Sequence, residues 1–394
     1  MIQQIEIDNF KSIRHADLEL GKINLFIGEN GAGKTNILEA IGVVSAAVYG
    51  VVDDESLLRR GVRPGVPRLY KTSNQKYKTG PHIHFSVRHE SCLYSVSLLN
   101  PLKNPKPCWN FKTERLASDD LEKPYTRGVK RNPNPEMGGL PMILSALPKD
   151  CVTTRFCSDL RDYALYNPNT AALRGLVQDI QMRLPVGLAG GGLSEGLNHL
   201  LNLANKDEQM EEVVDAVAAL FSWVREVSTS THIGHILSDS VPRAKRTITF
   251  TDRYMKQDNN RLTAADASEG VLYALFLLVL CMSPNGPKIF AVDNIEQTLN
   301  PRLVKCLAAM LQEWFKEYIA EKQMFCTAHN PMILDGFDLL DDTVHLFVVE
   351  RDSGGLTKIQ RVTVTEELVR RSKENHISWS QLWVGGYIGG VPNV

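Results

Sequence analysis

The chain has 394 residues, 43% of them hydrophobic, with 44 Lys and Arg against 45 Asp and Glu. That length accommodates one large α/β domain with an insertion, or two domains. A net charge of -1 and a pI near 6.8 exclude a chain that binds polyanions over its whole surface, although local basic patches stay open. Seven cysteines (Cys92, Cys108, Cys151, Cys157, Cys281, Cys306 and Cys326) contain no C-x-x-C pair. They read as reduced thiols of a cytoplasmic protein, not as a disulfide framework or zinc site. The opening MIQQIEIDNFKSI carries charge where a signal peptide needs an apolar core, and the longest apolar run, Val271 to Met282, is too short to span a bilayer. No membrane role is implied.

The first 25 or so residues alternate as strands do, through Ile2, Ile5 and Ile7, Leu18 and Leu20, then Ile23, Leu25 and Ile27. A glycine-rich turn leads to a helical stretch from about Lys34 to Ala47. Residues 53–80 read as a loop, and strands are expected at 82–88, 92–99 and 108–114, forming an antiparallel sheet. Residues 117–150, rich in Pro, Lys, Gly and Asn, read as a flexible surface excursion. Two helices follow over 194–226 and a strand pair around 227–251. The chain then alternates: helix 268–283, strand 288–292, helix 300–319, strand 323–327, helix 330–339, strand 343–349. No internal repeat or sustained heptad occurs, so no long coiled-coil arm is expected.

Gly28-Glu-Asn-Gly-Ala-Gly33-Lys34-Thr35 fits G-x-x-x-x-G-K-[ST]. Glycines let backbone N–H groups curl around a β-phosphate, and the following helix points its positive end at the same anion. Lys34 would reach the β- and γ-phosphates of ATP, and the Thr35 hydroxyl would ligate Mg2+. Four fixed positions arise by chance on the order of one per cent of the time in a chain this long. Here the motif also follows an apolar strand and opens a helix, which is the context the chemistry needs. Lys288-Ile-Phe-Ala-Val-Asp293 is an apolar strand ending in a carboxylate, as required to hold the magnesium water shell opposite Thr35.

Together these pieces resemble the ABC-type ATPase superfamily that includes RecF, the SMC proteins and the OLD-family ATPases. The resemblance covers roughly 1–50 and 260–350. Asn9-Phe10-Lys11-Ser12 before the loop is typical of that branch, Ala267-Ser268-Glu269-Gly270 looks like its signature motif, Leu299-Asn300-Pro301 its D-loop, and Thr327-Ala328-His329-Asn330-Pro331 its switch-histidine segment. It implies an α/β fold, an ABC-type P-loop ATPase head with an antiparallel β-subdomain and a helical insertion. The expected parts are an N-terminal lobe over 1–116, a loop and helical insertion over 117–235, and a C-terminal lobe over 236–394. The nucleotide-binding set is then Asn30, Gly31, Gly33, Lys34, Thr35 and Asn36, with Ser268 and Gly270 offered by the signature helix to the γ-phosphate held by a second copy. Two copies would sandwich two ATP molecules in a homodimer or higher oligomer. The catalytic set is Asp293, Asn294, Glu296 and His329, with Thr35 and Asp293 as metal ligands. His329 would sense the γ-phosphate or steady the attacking water; a helix-capping or core histidine is the plainer alternative.

One departure matters. The family places Glu directly after the strand Asp, and here that position is Asn294, whose amide takes no proton at neutral pH. Slow hydrolysis follows, unless another acid such as Glu296 serves; an ordinary loop carboxylate is the other reading of Glu296. After the switch segment, room remains for about one strand, a helix and a short tail, so no Toprim nuclease domain is expected. The resemblance therefore points to an effector partner such as a nuclease, as in the ATPase components of Septu-type or retron-associated antiviral modules, with a RecF-like DNA-repair ATPase as the alternative. A nucleotide-dependent assembly platform without turnover is a third reading. The arginines at 59, 60, 63 and 68 and the stretch Arg127–Arg131 are candidate DNA contacts, or simply solvated. The aromatic tail from Ser378 either docks a partner or packs on its own domain.

Overall fold

A computed structural model describes residues 1–128, 134–179, 181–232, 234, 236–238, 240–365, 368–370 and 377–389. In chain order the elements begin β1 (Gln4–Phe10), β2 (Ile13–Glu19), β3 (Ile23–Ile27), α1 (Lys34–Tyr49), α2 (Asp54–Leu58), α3 (Pro67–Tyr70), β4 (His82–His89), β5 (Cys92–Leu99), β6 (Asn110–Ala117), β7 (Tyr125–Arg127), α4 (Leu140–Ala146), α5 (Val152–Arg161) and β8 (Ala164–Tyr166). There follow α6 (Thr170–Leu173), α7 (Leu193–Ala204), α8 (Glu208–Ala219), β9 (Val224–Ser230), β10 (Thr247–Asp252), β11 (Arg261–Thr263) and α9 (Glu269–Met282). The chain finishes with β12 (Ile289–Val292), α10 (Pro301–Glu317), β13 (Gln323–Ala328), β14 (Val344–Arg351), β15 (Thr357–Val362) and α11 (Trp379–Val384).

Two compact units result. The first comprises Met1–Leu165, Pro287–Ile295 and Glu321–Val394; the second comprises Tyr166–Gly286 and Glu296–Ala320. The first holds an antiparallel sheet in the order β2-β1-β4-β5-β6-β7 and a mixed sheet in the order β15-β14-β3-β13-β12-β8. In β1, Ile5 and Ile7 are buried and pair with Leu18 and Ala16 of β2, the period-two pattern of a sheet with one covered face. All five residues of β3 are buried, as suits a strand flanked on both sides by parallel neighbours, β13 and β14. Phe26 of β3 stacks on Phe347 of β14 with centroids 4.9 Å apart. Helix α1 is buried over almost its whole length and touches β1 of one sheet and β13 of the other, so a single core joins them. It stops at Gly50, whose left-handed backbone returns its N–H to the carbonyls of Ala46 and Ala47.

The second unit is built around α9, whose residues Val271 to Met282 are all buried. A helix apolar on every side belongs inside a core, and α6, α7 and α8 pack against it. A three-stranded antiparallel sheet, β11-β10-β9, completes this unit with the amphipathic α10.

Periodicity located the strands and long helices it named within a few residues, but it named none of α5, β8, α6, β11 and β15. Three stretches differ. The helix expected over 330–339 is a 3-10 turn, Pro331–Asp335, because Asn330 caps it at once and the chain turns off at Gly336. The expected loop 53–80 contains α2, started by a reciprocal Asp53–Ser56 capping box, and α3, started by Pro67. The stretch 117–150 contains β7 and α4, with Leu140 buried; residues 129–133 of it lie outside the described residues. Among the described residues, no helix is long and apolar enough to cross a membrane.

Candidate nucleotide site

The phosphate loop leaves the C-terminal end of β3 and turns into α1. Gly28 takes φ +145 and lies so close to β14 that an added Cβ would sit 2.0 Å from the Val349 carbonyl. Gly33, at φ +109, would place a Cβ 2.3 Å from Thr357 Oγ1. Only glycine satisfies both the dihedral and the approach at these positions. Asn30 and Gly31 are exposed at the rim. Lys34 is only 5% exposed, and its ammonium donates to the carbonyls of Gly28 and Glu29, each at 2.9 Å, so it points into the concavity of the loop.

β13 lies next to β3 and β12 next to β13, all three parallel, so their C-terminal ends emerge on the side of the loop. β13 delivers His329, with Nδ1 3.3 Å from Lys34 Nζ. Burial first, and then the Lys34 charge, hold the His329 imidazole below its ordinary pKa, so it is neutral at pH 7. β12 delivers Asp293, whose carboxylate oxygens accept from the Thr35 hydroxyl at 3.1 and 3.0 Å and from the Thr327 hydroxyl at 2.5 Å. Asn294 donates its backbone N–H to Thr327 Oγ1 at 2.8 Å and sits at φ 56, in the left-handed region. The structure thus gathers Lys34, Thr35, Asp293, Asn294 and His329 around one loop. A hydroxyl and a carboxylate side by side, with no thiol or imidazole between them, are hard oxygen donors that fit Mg2+ completed by water and phosphate.

A brace behind the loop carries residues the motifs did not single out. The Thr357 hydroxyl donates to the Ala32 carbonyl at 2.6 Å and lies 2.6 Å from Ser12 Oγ, which accepts from Asn36 Nδ2 at 2.7 Å. Arg351 Nε donates to the Gly31 carbonyl at 3.0 Å. Glu39, fully buried on α1, is bonded by the Lys11 ammonium and by Arg63, whose Nε and Nη2 donate at 2.8 and 2.9 Å and whose backbone N–H donates at 3.0 Å. Burial pushes the Glu39 carboxyl upward, but the Arg63 hydrogen bonds and the Lys11 charge outweigh it and leave the group below its ordinary value. Lys11, Ser12, Asn36, Arg63, Arg68, Lys71 and Arg351 share one cavity of about 520 Å³ with Tyr70 and Leu69. The sequence signal was a glutamate set among the apolar residues Ile37 to Val44, which only a paired cation makes tolerable.

In the second unit, Ser268 begins α9 in extended conformation, is exposed, and makes no side-chain cap bond to the helix. Arg174 Nη2 donates to the carbonyl of Ala267, the residue before it, at 3.2 Å. An added Cβ at Gly270 would meet Leu299 at 3.5 Å, ordinary contact, so local packing does not demand glycine there. Glu296, half-buried, lies in the turn before Asn300, which caps α10, and its carbonyl accepts from the Leu299 N–H.

The candidate DNA contacts divide. Arg60 is 4% exposed and committed to Ser45 Oγ and the carbonyls of Ser56 and Arg161, a packing role that removes it from any surface. Arg59 pairs with Glu55 through exposed side chains, and Arg63 is held by Glu39. Arg127 bonds the carbonyls of Asn134 and Met137, while 129–131 lie outside the described residues.

Residues 1–57 match a family model described as "AAA ATPase domain", and residues 193–335 match one described as "AAA domain, putative AbiEii toxin, Type IV TA system". A Rad50 DNA double-strand break repair ATPase from Saccharolobus solfataricus is 35% identical over 78 residues, 20% of this chain and 9% of that protein. The DNA replication and repair protein RecF of Bacillus subtilis is 42% identical over 60 residues, 15% of this chain and 16% of RecF. An OLD nuclease from Thermus scotoductus is 41% identical over 49 residues, 12% of this chain and 9% of the nuclease. The matches therefore span 9% to 16% of these relatives' lengths. Among solved structures, an SMC head bound to the C-terminal winged-helix domain of ScpA aligns with 93% of this chain and 99% of that one, at TM-score 0.53 and 11% identity. An SMC head with an extended coiled coil, bound to the C-terminal domain of ScpA and derived from Pyrococcus furiosus, covers 95% and 99%, at TM-score 0.50 and 12% identity. The fold is that of an SMC-type head, an ABC-type P-loop ATPase architecture with an antiparallel subdomain.

Proposed function

We propose that this chain is a cytoplasmic, slowly hydrolysing ATPase of the RecF, SMC and OLD type that works as a nucleotide-gated switch between separate and paired copies. The observation that carries the reading is the convergence of Lys34, Thr35, Asp293 and His329 on one loop, at the ends of three adjacent strands. Lys34 and the positive end of α1, which has no acidic residue in its first turn, hold the triphosphate. Asn30, Gly31, Gly33 and Asn36 complete the cradle. Thr35 and Asp293 would hold Mg2+, which when bound offsets phosphate charge. His329, neutral at pH 7, can accept a hydrogen bond from the attacking water or touch the γ-phosphate.

The uncommitted Ser268 hydroxyl and the first amides of α9 are suited to a γ-phosphate carried by a second copy, and Gly270 leaves room for that close approach. ATP then joins two copies in a sandwich, or in a higher oligomer, and hydrolysis releases them. Asn294 cannot act as a base, so turnover is slow; Glu296 is the substitute acid if one serves.

The output is a partner effector, most simply a nuclease, in an antiviral module. The toxin wording of the family model over 193–335 supports that direction. The match to RecF favours a second reading, in which the paired heads clamp DNA directly. Native purification with mass measurement, with and without ATP, tests both. An ATP-dependent doubling of mass lost in Lys34→Ala and Ser268→Arg is expected, with an effector protein co-purifying. Salt-sensitive, ATP-dependent DNA binding by the isolated protein selects the second reading. Fast turnover that survives Asn294→Ala and vanishes in Glu296→Ala overturns slow hydrolysis.

A further inference from the structure

We infer that the C-terminal helix α11 is a strap that sets the position of His329, which makes the tail a control point for hydrolysis. The inference rests on the role given to His329 above. Immediately after His329, the Asn330 side chain accepts from the Met332 N–H at 3.0 Å and starts the Pro331–Asp335 turn. That turn ends on Asp335, and both oxygens of its carboxylate are taken by the tail. Ser380 donates its backbone N–H to Oδ1 at 2.9 Å and its hydroxyl to Oδ2 at 2.6 Å.

Neither partner stands by itself. A five-residue 3-10 turn and a six-residue helix each hold too few internal hydrogen bonds to persist in isolation. What fixes them is each other. Ile333 and Leu334 on the turn and Leu382 and Trp383 on the helix are all buried, and the two elements pack together. A Ser378–Gln381 capping box begins α11 at the point where Asp335 receives it, and the carboxylate bonds are of the stronger, charge-assisted kind. His329 lies at the other end of the same short turn, held against Lys34 at 3.3 Å. The chain between His329 and Asp335 is therefore tethered at both ends, and lifting α11 frees one of them. The exposed Val384 and Tyr387 at the strap's end are where such a lift would be applied.

Asp335 is thus a positioning residue that acts through His329 and touches no phosphate. The test compares Asp335→Ala, Ser380→Ala and the conservative Asp335→Asn with His329→Ala, measuring single-turnover hydrolysis of bound ATP alongside equilibrium affinity for a fluorescent ATP analogue. Misplacement of a reacting group costs roughly ten-fold or more in rate. Hydrolysis in Asp335→Ala and Ser380→Ala should therefore fall about ten-fold while affinity stays within about two-fold, the pattern of a lost transition-state contact. Asp335→Asn, which still accepts from the Ser380 N–H, should keep most of the rate. The double variant Asp335→Ala/His329→Ala should be no slower than His329→Ala, because the two act through one group. Amide exchange in Ser380→Ala should quicken over 329–335 and stay slow over 23–27, a readout independent of Asp335→Ala folding well. Wild-type hydrolysis in both Asp335→Ala and Ser380→Ala, with His329→Ala impaired, overturns the strap alone. Wild-type hydrolysis in His329→Ala overturns the histidine's role and the strap with it.

Discussion

Thr357 of β15 donates its hydroxyl to the carbonyl of Ala32 inside the phosphate loop at 2.6 Å, across a separation of 325 residues. The same oxygen lies 2.6 Å from Ser12 Oγ, so one threonine ties the loop to the Asn9–Ser12 lead-in and to the far end of the chain. Thr357→Val keeps the shape and removes the donor, leaving a buried carbonyl unserved. A lost bond of this kind costs about 1–3 kcal/mol. We expect a lower Tm and, because the loop loses its brace, a roughly ten-fold weaker ATP-analogue affinity, which is about 1.4 kcal/mol of binding free energy. Unchanged affinity in a titration with a fluorescent analogue would show that the loop does not need the brace.

Glu39 gives a pH test whose sign is fixed. Its carboxyl is held below the ordinary 4.5 in the folded chain, so the stability it contributes is complete above that value and is lost as pH falls through the folded pKa. Thermal melts between pH 6 and 3 should show an acid limb that is much reduced in Glu39→Gln. At neutral pH the same substitution should cost about 3 kcal/mol, because it strands the Lys11 charge in a largely buried position.

Asn294 sits at φ 56, where most L residues are strained by about 1–2 kcal/mol and Asn or Gly is not. Urea unfolding should place Asn294→Ala about 1 kcal/mol below the parent, with Asn294→Gly recovering most of the difference. Equal midpoints for the alanine and the parent would mean the backbone relaxes there. The result bears on why this position tolerates an amide: the conformation itself favours Asn over the glutamate usual in the resemblance.

Arg174 holds the carbonyl of Ala267 at 3.2 Å, and its Nε is buried without a hydrogen-bond partner among the described residues. Arg174→Met keeps the apolar stem and removes the donors. ATP-driven self-association, read by sedimentation, should weaken about five-fold, a 1 kcal/mol effect typical of one hydrogen bond. ATP affinity of the separate protein should not move. Loss of both would place Arg174 in the general stability of the unit instead.

What the sequence disclosed follows from what each signal depends on. Gly28 to Thr35 is local chemistry, and the five buried residues of β3 are a local pattern, so both were legible. Asp293 was legible because an apolar strand ran straight into a carboxylate. Thr357 and Arg351 were not, because their partners lie 325 and 320 residues away and no spacing announces them, and Glu39 gave only the oddity of a carboxylate among apolar residues, without naming Lys11 and Arg63 as its partners. Arg60 misled for the opposite reason: an arginine beside other arginines reads as surface, and only its own burial and its bonds to Ser45, Ser56 and Arg161 reveal a packing role. The tail's two readings were separated by Asp335, an ordinary aspartate in sequence.

The placement of β3 also governs how the chain must be made. Its hydrogen-bonding neighbours are β13 and β14, so Asn24 meets Met324 across 300 residues. At synthesis rates of about 5–20 residues per second, the ribosome needs roughly 15–60 s to deliver that neighbour after β3 has emerged. Throughout that wait a strand made to be buried on both faces lacks both of its sheet neighbours, and loop closure of this span is intrinsically slow. The nascent chain is therefore a natural client for a holding chaperone, and a ribosome stalled before β13 would release a fragment that cannot assemble the phosphate grip and is prone to clump.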